Sequence, residues 1–203
     1  MAKAKIGLTA GIGCGKSLIA RVFENLGISV FYSDKEAKRL YDNPLFLQEI
    51  VKRFGESVIE NGEFQARKLA DIVFNDRNKL QELNELIHPK VFEIFDQWSE
   101  KQKSPYVIME SAILFENGLQ THFDKIISIS TPEDIVIRRV MARDACSKEQ
   151  VCARMANQMP QNEKNALADY LIIHDDSKML IPQILNIHTD ILKYLFNQKI
   201  RNN

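Results

Sequence analysis

Apolar residues follow two alternating rhythms along this chain. Short, continuously apolar runs recur at IGL before Thr9, at Ile28–Tyr32 (ISVFY), Tyr106–Glu110 (YVIME), Lys125–Ser130 (KIISIS) and Tyr170–His174 (YLIIH). Their length and β-branched content suit strands buried on both faces. Between them the apolar spacing is helical: Leu18, Ile19, Val22, Phe23 and Leu26; Leu69, Ile72, Val73 and Phe74; Leu80, Leu83, Leu86 and Ile87 before His88-Pro89. A final helix shows a broad apolar face of Ile181, Ile184, Leu185, Ile187, Ile191, Leu192 and Leu195 and ends in a polar tail. Strands alternating with helices predict an α/β fold of three layers, with a five-stranded parallel sheet and right-handed crossovers.

Punctuation refines this pattern. Gly27 ends the first helix, Asn43-Pro44 and Phe54-Gly55 break others, and Glu60-Asn61-Gly62-Glu63 and Glu116-Asn117-Gly118 are turns. Thr131-Pro132-Glu133-Asp134 starts a helix, with Pro at the first position and acids in the first turn. Residues 37–98 read as mostly helical, without a strand of comparable strength. An insertion of that length is a candidate for gripping a second substrate.

Composition narrows the class. The 203 residues carry 27 Lys plus Arg and 27 Asp plus Glu, a net charge of zero that argues against a chain whose work is to coat nucleic acid. No apolar run is long enough to span a bilayer, and the N-terminus enters a strand directly, so a cytoplasmic protein without membrane partners is expected. Cys14, Cys146 and Cys152 are odd in number and lack metal-ligand spacing, which suits free thiols.

The chemistry concentrates in KIGLTAGIGCGKSL. Gly11, Gly13 and Gly15 permit a sharp turn that brings successive N–H groups, from Gly11 through Ile12, Cys14 and Leu18, onto a polyphosphate. The helix opening at Lys16 points its positive end at the same place, Lys16 reaches the β- and γ-phosphates, and the Ser17 hydroxyl is a ligand for Mg²⁺. Ala10 stands where the strict motif has Gly. Cys14 has two readings: a thiol made reactive by Lys16 and the helix terminus, or a small residue whose backbone does the work.

Asp34 follows the second strand, where open α/β sheets bind ligands; it either takes a proton from a substrate hydroxyl or orients Mg²⁺, or it caps the helix of Lys35–Tyr41. Glu110 ends the third strong strand and is an acidic partner for Mg²⁺ through water. Arg67, Lys68, His88 and Lys90 are candidate anion contacts in the insertion. Arg138, Arg139, Arg143, Arg154 and Gln158 suit a lid that closes over polyphosphate, the alternative being a charged helix face balanced by Glu133, Asp134 and Asp144.

Taken jointly, these residues resemble the dephospho-coenzyme A kinases over nearly the whole chain. GLTAGIGCGKS is similar to the family's GLTGGIGSGKS, and Asp34 matches the second Asp of its Asp-Ala-Asp run. Phe54-Gly55, Arg67 with Leu69 and Val73-Phe74, Ile87-His88-Pro89 and Ile113–Glu116 match further segments. So do Arg139, Arg143 and Asp144, Arg154 with Gln158, and Ala168-Asp169. Ala10, Cys14, Leu18, Tyr32, Ala112 and His174 depart from the pattern, which has Asn where His174 stands. The resemblance implies ATP and Mg²⁺ as cofactors, dephospho-CoA as acceptor and a monomer or weak homo-oligomer. It implies Asp34 as base, Lys16, Arg143 and Arg139 as charge-neutralising groups, and Arg67, His88, Lys90 and Glu116 as substrate contacts. The expected division is a P-loop nucleotide core of 1–36, 100–140 and 165–203, a helical CoA-binding part of 37–99 and a lid of 141–164. A nucleoside or nucleoside monophosphate kinase of the same P-loop kinase fold is the alternative. No guanine-reading Asn-Lys-x-Asp segment occurs, against a regulatory GTPase.

Overall fold

The computed structural model describes residues 3–74 and 76–201, apart from the side chains of Phe74 and Arg77. Phe74, counted above in a helical apolar pattern, and the terminal Asn202-Asn203 thus fall outside the described side chains and residues. The chain divides into two compact units, one running to Phe31 and resuming at Ser99, the other Tyr32–Trp98.

The first unit begins with β1 (Ala4–Thr9), which leads through the glycine-rich loop into α1 (Lys16–Asn25) and then β2 (Ser29–Tyr32). The second unit follows with α2 (Ser33–Arg39), α3 (Pro44–Phe54), the two-residue strands β3 (Ile59–Glu60) and β4 (Glu63–Phe64), α4 (Ala66–Phe74) and α5 (Arg77–Glu100). After it come β5 (Tyr106–Glu110), β6 (Lys125–Ser130), α6 (Glu133–Asp144), α7 (Lys148–Ala156), α8 (Gln161–Leu167), β7 (Tyr170–Ile173) and α9 (Leu180–Arg201). The sheet is five-stranded and parallel, in the order β2-β5-β1-β6-β7. Central β1 pairs Ile6 with Ile108 of β5 and with Lys125 of β6.

Consecutive residues Tyr106, Val107 and Ile108 are fully buried, as are Ile6, Leu8, Ile127, Ile129 and Ile172, so the sheet is covered on both faces. Each such side chain contributes roughly 1.5–3 kcal/mol on burial. The last helix meets the expectation only in part. Ile184, Ile187 and Ile191 form the buried stripe, whereas Ile181, Leu185 and Leu192 are exposed. At 3.6 residues per turn, positions i, i+3 and i+7 make a single row, and that row is what the first unit covers. The same helix supplies His188, whose Nδ1 lies 2.7 Å from the hydroxyl of buried Tyr106. Burial pushes the Tyr106 hydroxyl up and the His188 ring down from their ordinary values.

In the second unit Asn43 caps α3, its side chain accepting from the N–H groups of Leu45 and Phe46, with Pro44 at the first helical position. The Asn61-Gly62 turn has positive φ at both residues, as a two-residue hairpin between β3 and β4 requires. Tyr41 stacks on Phe64 with centroids 4.7 Å apart and tilts against Phe46. Helix α5 continues through Pro89. The missing N–H costs one helical bond, and buried Leu83 before it and Val91, Phe92 and Phe95 after it hold both halves. Among the described residues no helix is long and apolar enough to cross a membrane.

Candidate functional site: the phosphate loop and its supports

The carboxyl end of β1 delivers the loop at the middle of the sheet. Gly13 and Gly15 have φ of +77° and +94°, left-handed values that disfavour a side chain. Space forbids one as well. A Cβ on Gly13 would lie 2.6 Å from Cγ2 of Val140, and one on Gly15 2.6 Å from Nδ1 of His174. Ala10, where the strict motif has Gly, is not among the positive-φ residues and is fully buried, so its methyl is accommodated without backbone strain.

The loop is gripped from outside. The side-chain oxygen of Gln161 accepts from Gly11 N–H and that of Gln158 from Ile12 N–H, both at 2.9 Å. The Cys14 carbonyl accepts from the Thr131 hydroxyl at 3.3 Å and sits 2.9 Å from Nδ1 of His174. Among the described residues no acceptor takes the N–H groups of Gly13, Cys14, Gly15 and Ser17, the donors an oxyanion would take at a helix N-terminus. Lys16 donates to the Ala10 carbonyl at 3.1 Å and lies 3.8 Å from Oε1 of Glu110, itself nearly buried at the end of β5. Loop, lysine and carboxylate thus meet at adjacent strand ends.

Cys14 resolves between its two readings. It is 3% exposed, and burial pushes its thiol up, outweighing the opposite pull of Thr131 and Lys16. Of the two readings the structure favours the small residue whose backbone does the work, because desolvation of a thiolate there exceeds its attraction to the nearby cation.

Ser17 and Leu18 open α1 on its exposed side. The Ser17 hydroxyl makes no hydrogen bond among the described residues, and no group of three or more His, Cys, Asp or Glu side chains there could hold a metal ion. That donor set fits Mg²⁺ bound with a nucleotide, which takes most of its oxygens from phosphate and water and only one or two from protein.

The arginines fall into two settings. Arg139 lies 3.0 Å through Nη2 from Nε2 of His174 and pairs with Asp176. Arg143 is directed along its own chain, bonding Asp144 through Nε at 2.7 Å and Nη2 at 3.0 Å, while Arg154 shares Oδ2 of the same carboxylate at 2.7 Å. These hydrogen bonds hold the Asp144 carboxyl down at about 2. Helix α6 starts at Glu133 with Pro132 as the cap, one position later than expected.

Sequence reasoning passed over a second group of supports. Lys164, fully buried, bonds Glu116 and the Ala112 carbonyl, each at 2.6 Å. Glu116 also accepts from Met159 N–H through Oε1, and its buried Oε2 has no partner among the described residues. Gln161 reaches Asn165 and Ser128 with its amide nitrogen. Thr131 and His174 were findable, since each follows directly on a strand of the parallel sheet. Lys164 and Gln161 were not, because a polar residue on a short helix reads as solvated until its neighbours are known.

In the second unit, Asp34 is exposed in the first turn of α2, two residues past β2; Tyr32 occupies the cap position instead. Arg67 is exposed, Lys68 pairs with Glu60 at 3.4 Å, and Lys90 pairs with Glu49 at 3.5 Å while lying over the Phe46 ring. His88 is half-buried, and burial lowers its ring below the usual value.

Three sets of relatives bear on what such a site does. A family model described as dephospho-CoA kinase matches residues 4–180. The dephospho-CoA kinase of Bacteroides fragilis is 38% identical over 185 residues, 90% of each chain, and that of Legionella pneumophila 33% identical over 199 residues, 97% of this chain and 98% of its own. Among solved structures, one Thermus thermophilus protein superposes with a TM-score of 0.86 at 31% identity, covering 95% of this chain and 99% of its own. The dephospho-CoA kinase of Campylobacter jejuni gives 0.66 at 29% identity, covering 93% and 97%.

Proposed function

The chain belongs to the dephospho-CoA kinase family, and we propose from that premise that it phosphorylates the 3′-hydroxyl of dephospho-CoA with ATP, giving coenzyme A. The observation that carries the reading is the loop itself. Among the described residues four of its N–H groups are left without an acceptor, while the Gly11 and Ile12 N–H groups and the Cys14 carbonyl are held by side chains, so the cradle is built before nucleotide arrives.

In the proposed reaction, Asp34 accepts the proton of the 3′-hydroxyl as its oxygen attacks the γ-phosphorus in line with the departing ADP oxygen. The loop amides of Gly11, Ile12, Gly13, Cys14, Gly15, Lys16, Ser17 and Leu18 frame the donor. The free amides from Gly13 onward take the phosphate oxygens, and Gly11 and Ile12 shape the turn. Lys16 exchanges its contact with the Ala10 carbonyl for β- and γ-oxygens, and Arg143 exchanges Asp144 for the transferring group, with Arg139 beside it. Ser17 and, through water, Glu110 are the residues that would hold magnesium, which would supply charge neutralisation to the nucleotide's phosphate oxygens. On the acceptor side Arg67, His88 and Lys90 supply donors for an anionic substrate. Glu116, already bonded to Lys164 and to Met159 N–H, is the fourth proposed contact on that side. A cytoplasmic setting suits the three free cysteines.

Incubation with ATP and a panel of acceptors tests this directly. Dephospho-CoA should be consumed with stoichiometric ADP. Consumption of a nucleoside or nucleoside monophosphate in its place would overturn the reading.

A further inference from the structure

His174 touches both halves of the donor machinery described above. Its backbone N–H donates to the Ser130 carbonyl at 2.8 Å, one residue past β7, so the base of the side chain is fixed by the sheet. From there the ring reaches two partners of opposite kind. Nδ1 lies 2.9 Å from the Cys14 carbonyl oxygen, and Nε2 lies 3.0 Å from Nη2 of Arg139. A carbonyl only accepts and a guanidinium only donates, while a neutral imidazole has one donor and one acceptor. The partners therefore set the tautomer: Nδ1–H donates to Cys14, and Nε2 accepts from Arg139. The closeness of Arg139 Nη1 to Nδ1, 3.2 Å, is then an approach of two donors and adds no bond. The far side of Arg139 is held by the Asp176 carboxylate.

The imidazole also fills the space a side chain at residue 15 would need, with Nδ1 and Cε1 at 2.6 and 2.7 Å from the position of a Cβ. The ring is thus packed on the loop as well as bonded to it. Neither Thr131 nor the glutamines reach an arginine; among the described residues His174 alone joins the loop backbone to Arg139 by hydrogen bonds.

We propose that His174 is a positioning residue for ATP: held by the sheet and packed on the loop, it offers Arg139 an acceptor, so that the guanidinium is set beside the phosphate cradle before nucleotide binds. The proposal rests on the reading of the loop as the ATP site, and it assigns His174 no contact with the reacting atoms.

Two amides separate the two bonds. An Asn amide nitrogen stands close to where imidazole Nδ1 stands, so His174→Asn keeps the bond to Cys14 and falls short of Arg139. A Gln amide oxygen stands close to Nε2, so His174→Gln keeps the acceptor for Arg139 and loses the bond to Cys14. Calorimetric ATP affinity of His174→Asn, His174→Gln, Arg139→Gln and the double variant His174→Asn/Arg139→Gln is the test, with thermal midpoints measured alongside. His174→Asn and Arg139→Gln should each weaken ATP binding about tenfold, the size of one hydrogen bond to a charged group. The double variant should bind no more weakly than either, and His174→Gln should recover most of the loss. Additive losses in the double variant, wild-type affinity in His174→Asn, or a loss in His174→Gln equal to that in His174→Asn would overturn the proposal. The last pattern, with lowered thermal midpoints throughout, would mark His174 as packing alone. Because ATP affinity is read without an acceptor, failure to phosphorylate dephospho-CoA would overturn the proposed function and leave this result standing.

Discussion

At the phosphate loop, four side chains from three later segments hold the backbone: Thr131 after β6, Gln158 and Gln161 around the start of α8, and His174 after β7. At the corner between α6 and α7 the bonds are local. Arg143 and Arg154 both bond Asp144, Ser147 and Gln150 form a capping box, and every residue from Met141 to Ala145 is exposed. The two regions are built for different work. A loop that must present N–H groups to phosphate at fixed spacing gains from long-range anchors, since misplacement weakens every contact at once. A corner that must release arginines to a ligand gains from exposed, local pairs, which are worth little and exchange readily. The contrast also divides the region expected to act as a lid. Its later part, Gln158 through Lys164, is bonded to the loop and to Glu116, so the proposed closing motion belongs to the part before Gln158.

The sharpest way to break this contrast is to remove a cation from the corner. Arg143→Ala should cost about 10³-fold or more in turnover at saturating ATP, the scale of an arginine acting on a transferring phosphoryl group. It should leave the thermal midpoint nearly unchanged, because the pair with Asp144 is exposed. Asp34→Asn should cost about 10²- to 10⁴-fold, and no more than Arg143→Ala. Near-normal turnover in Arg143→Ala would remove the functional half of the comparison.

The anchors should respond in the opposite sense. Lys164→Met removes the cation from the partly buried Glu116 carboxylate and should destabilise the protein by roughly 3 kcal/mol in denaturant unfolding, the lower end of the range for breaking a buried pair. A loss below about 1 kcal/mol would show that the later part of this region is not fixed to the core. On the acceptor side, Arg67→Ala should raise KM for dephospho-CoA by about tenfold while KM for ATP stays within twofold, as expected for one hydrogen bond to a charged group.

Smaller effects test burial. His88 and His188 are both held below the ordinary value of 6.5 by desolvation, so the unfolded chain binds their protons more readily. Stability from keeping them neutral is complete above about pH 6.5 and is lost as the pH falls below it. The thermal midpoint should therefore drop between pH 7.5 and 5.5, and His188→Gln should shrink the drop. Finally, Cys14 should resist iodoacetamide at neutral pH far longer than Cys146 or Cys152, which mass spectrometry of the native protein would show.

Periodicity and punctuation were enough to read the strands, the loop and the helix after it, because each is a local pattern: runs buried on both faces, glycines at left-handed φ, a lysine and a hydroxyl opening a helix. Asp34, Arg139 and Arg143 were legible for the same reason, being charged residues at recognisable distances from strand ends. What the pattern misjudged was set by neighbours distant in sequence. The helical pattern was read only as far as His88-Pro89, yet packing on both sides carries α5 through it to Glu100. The last helix buries one row of its apolar face, since only that row meets the rest of its unit.

By itself, then, the order of residues determined that this is a parallel α/β phosphate-loop protein and which end of the sheet holds its chemistry. Only the tertiary structure decided how the loop is held. Gln161, Lys164 and His174 acquire their roles from partners 33 to 160 positions away. It also decided the setting of Cys14, buried and with its thiol pushed up. A thiol's reactivity depends on the balance of desolvation against nearby charge, and that balance exists only once the surrounding segments have closed over it.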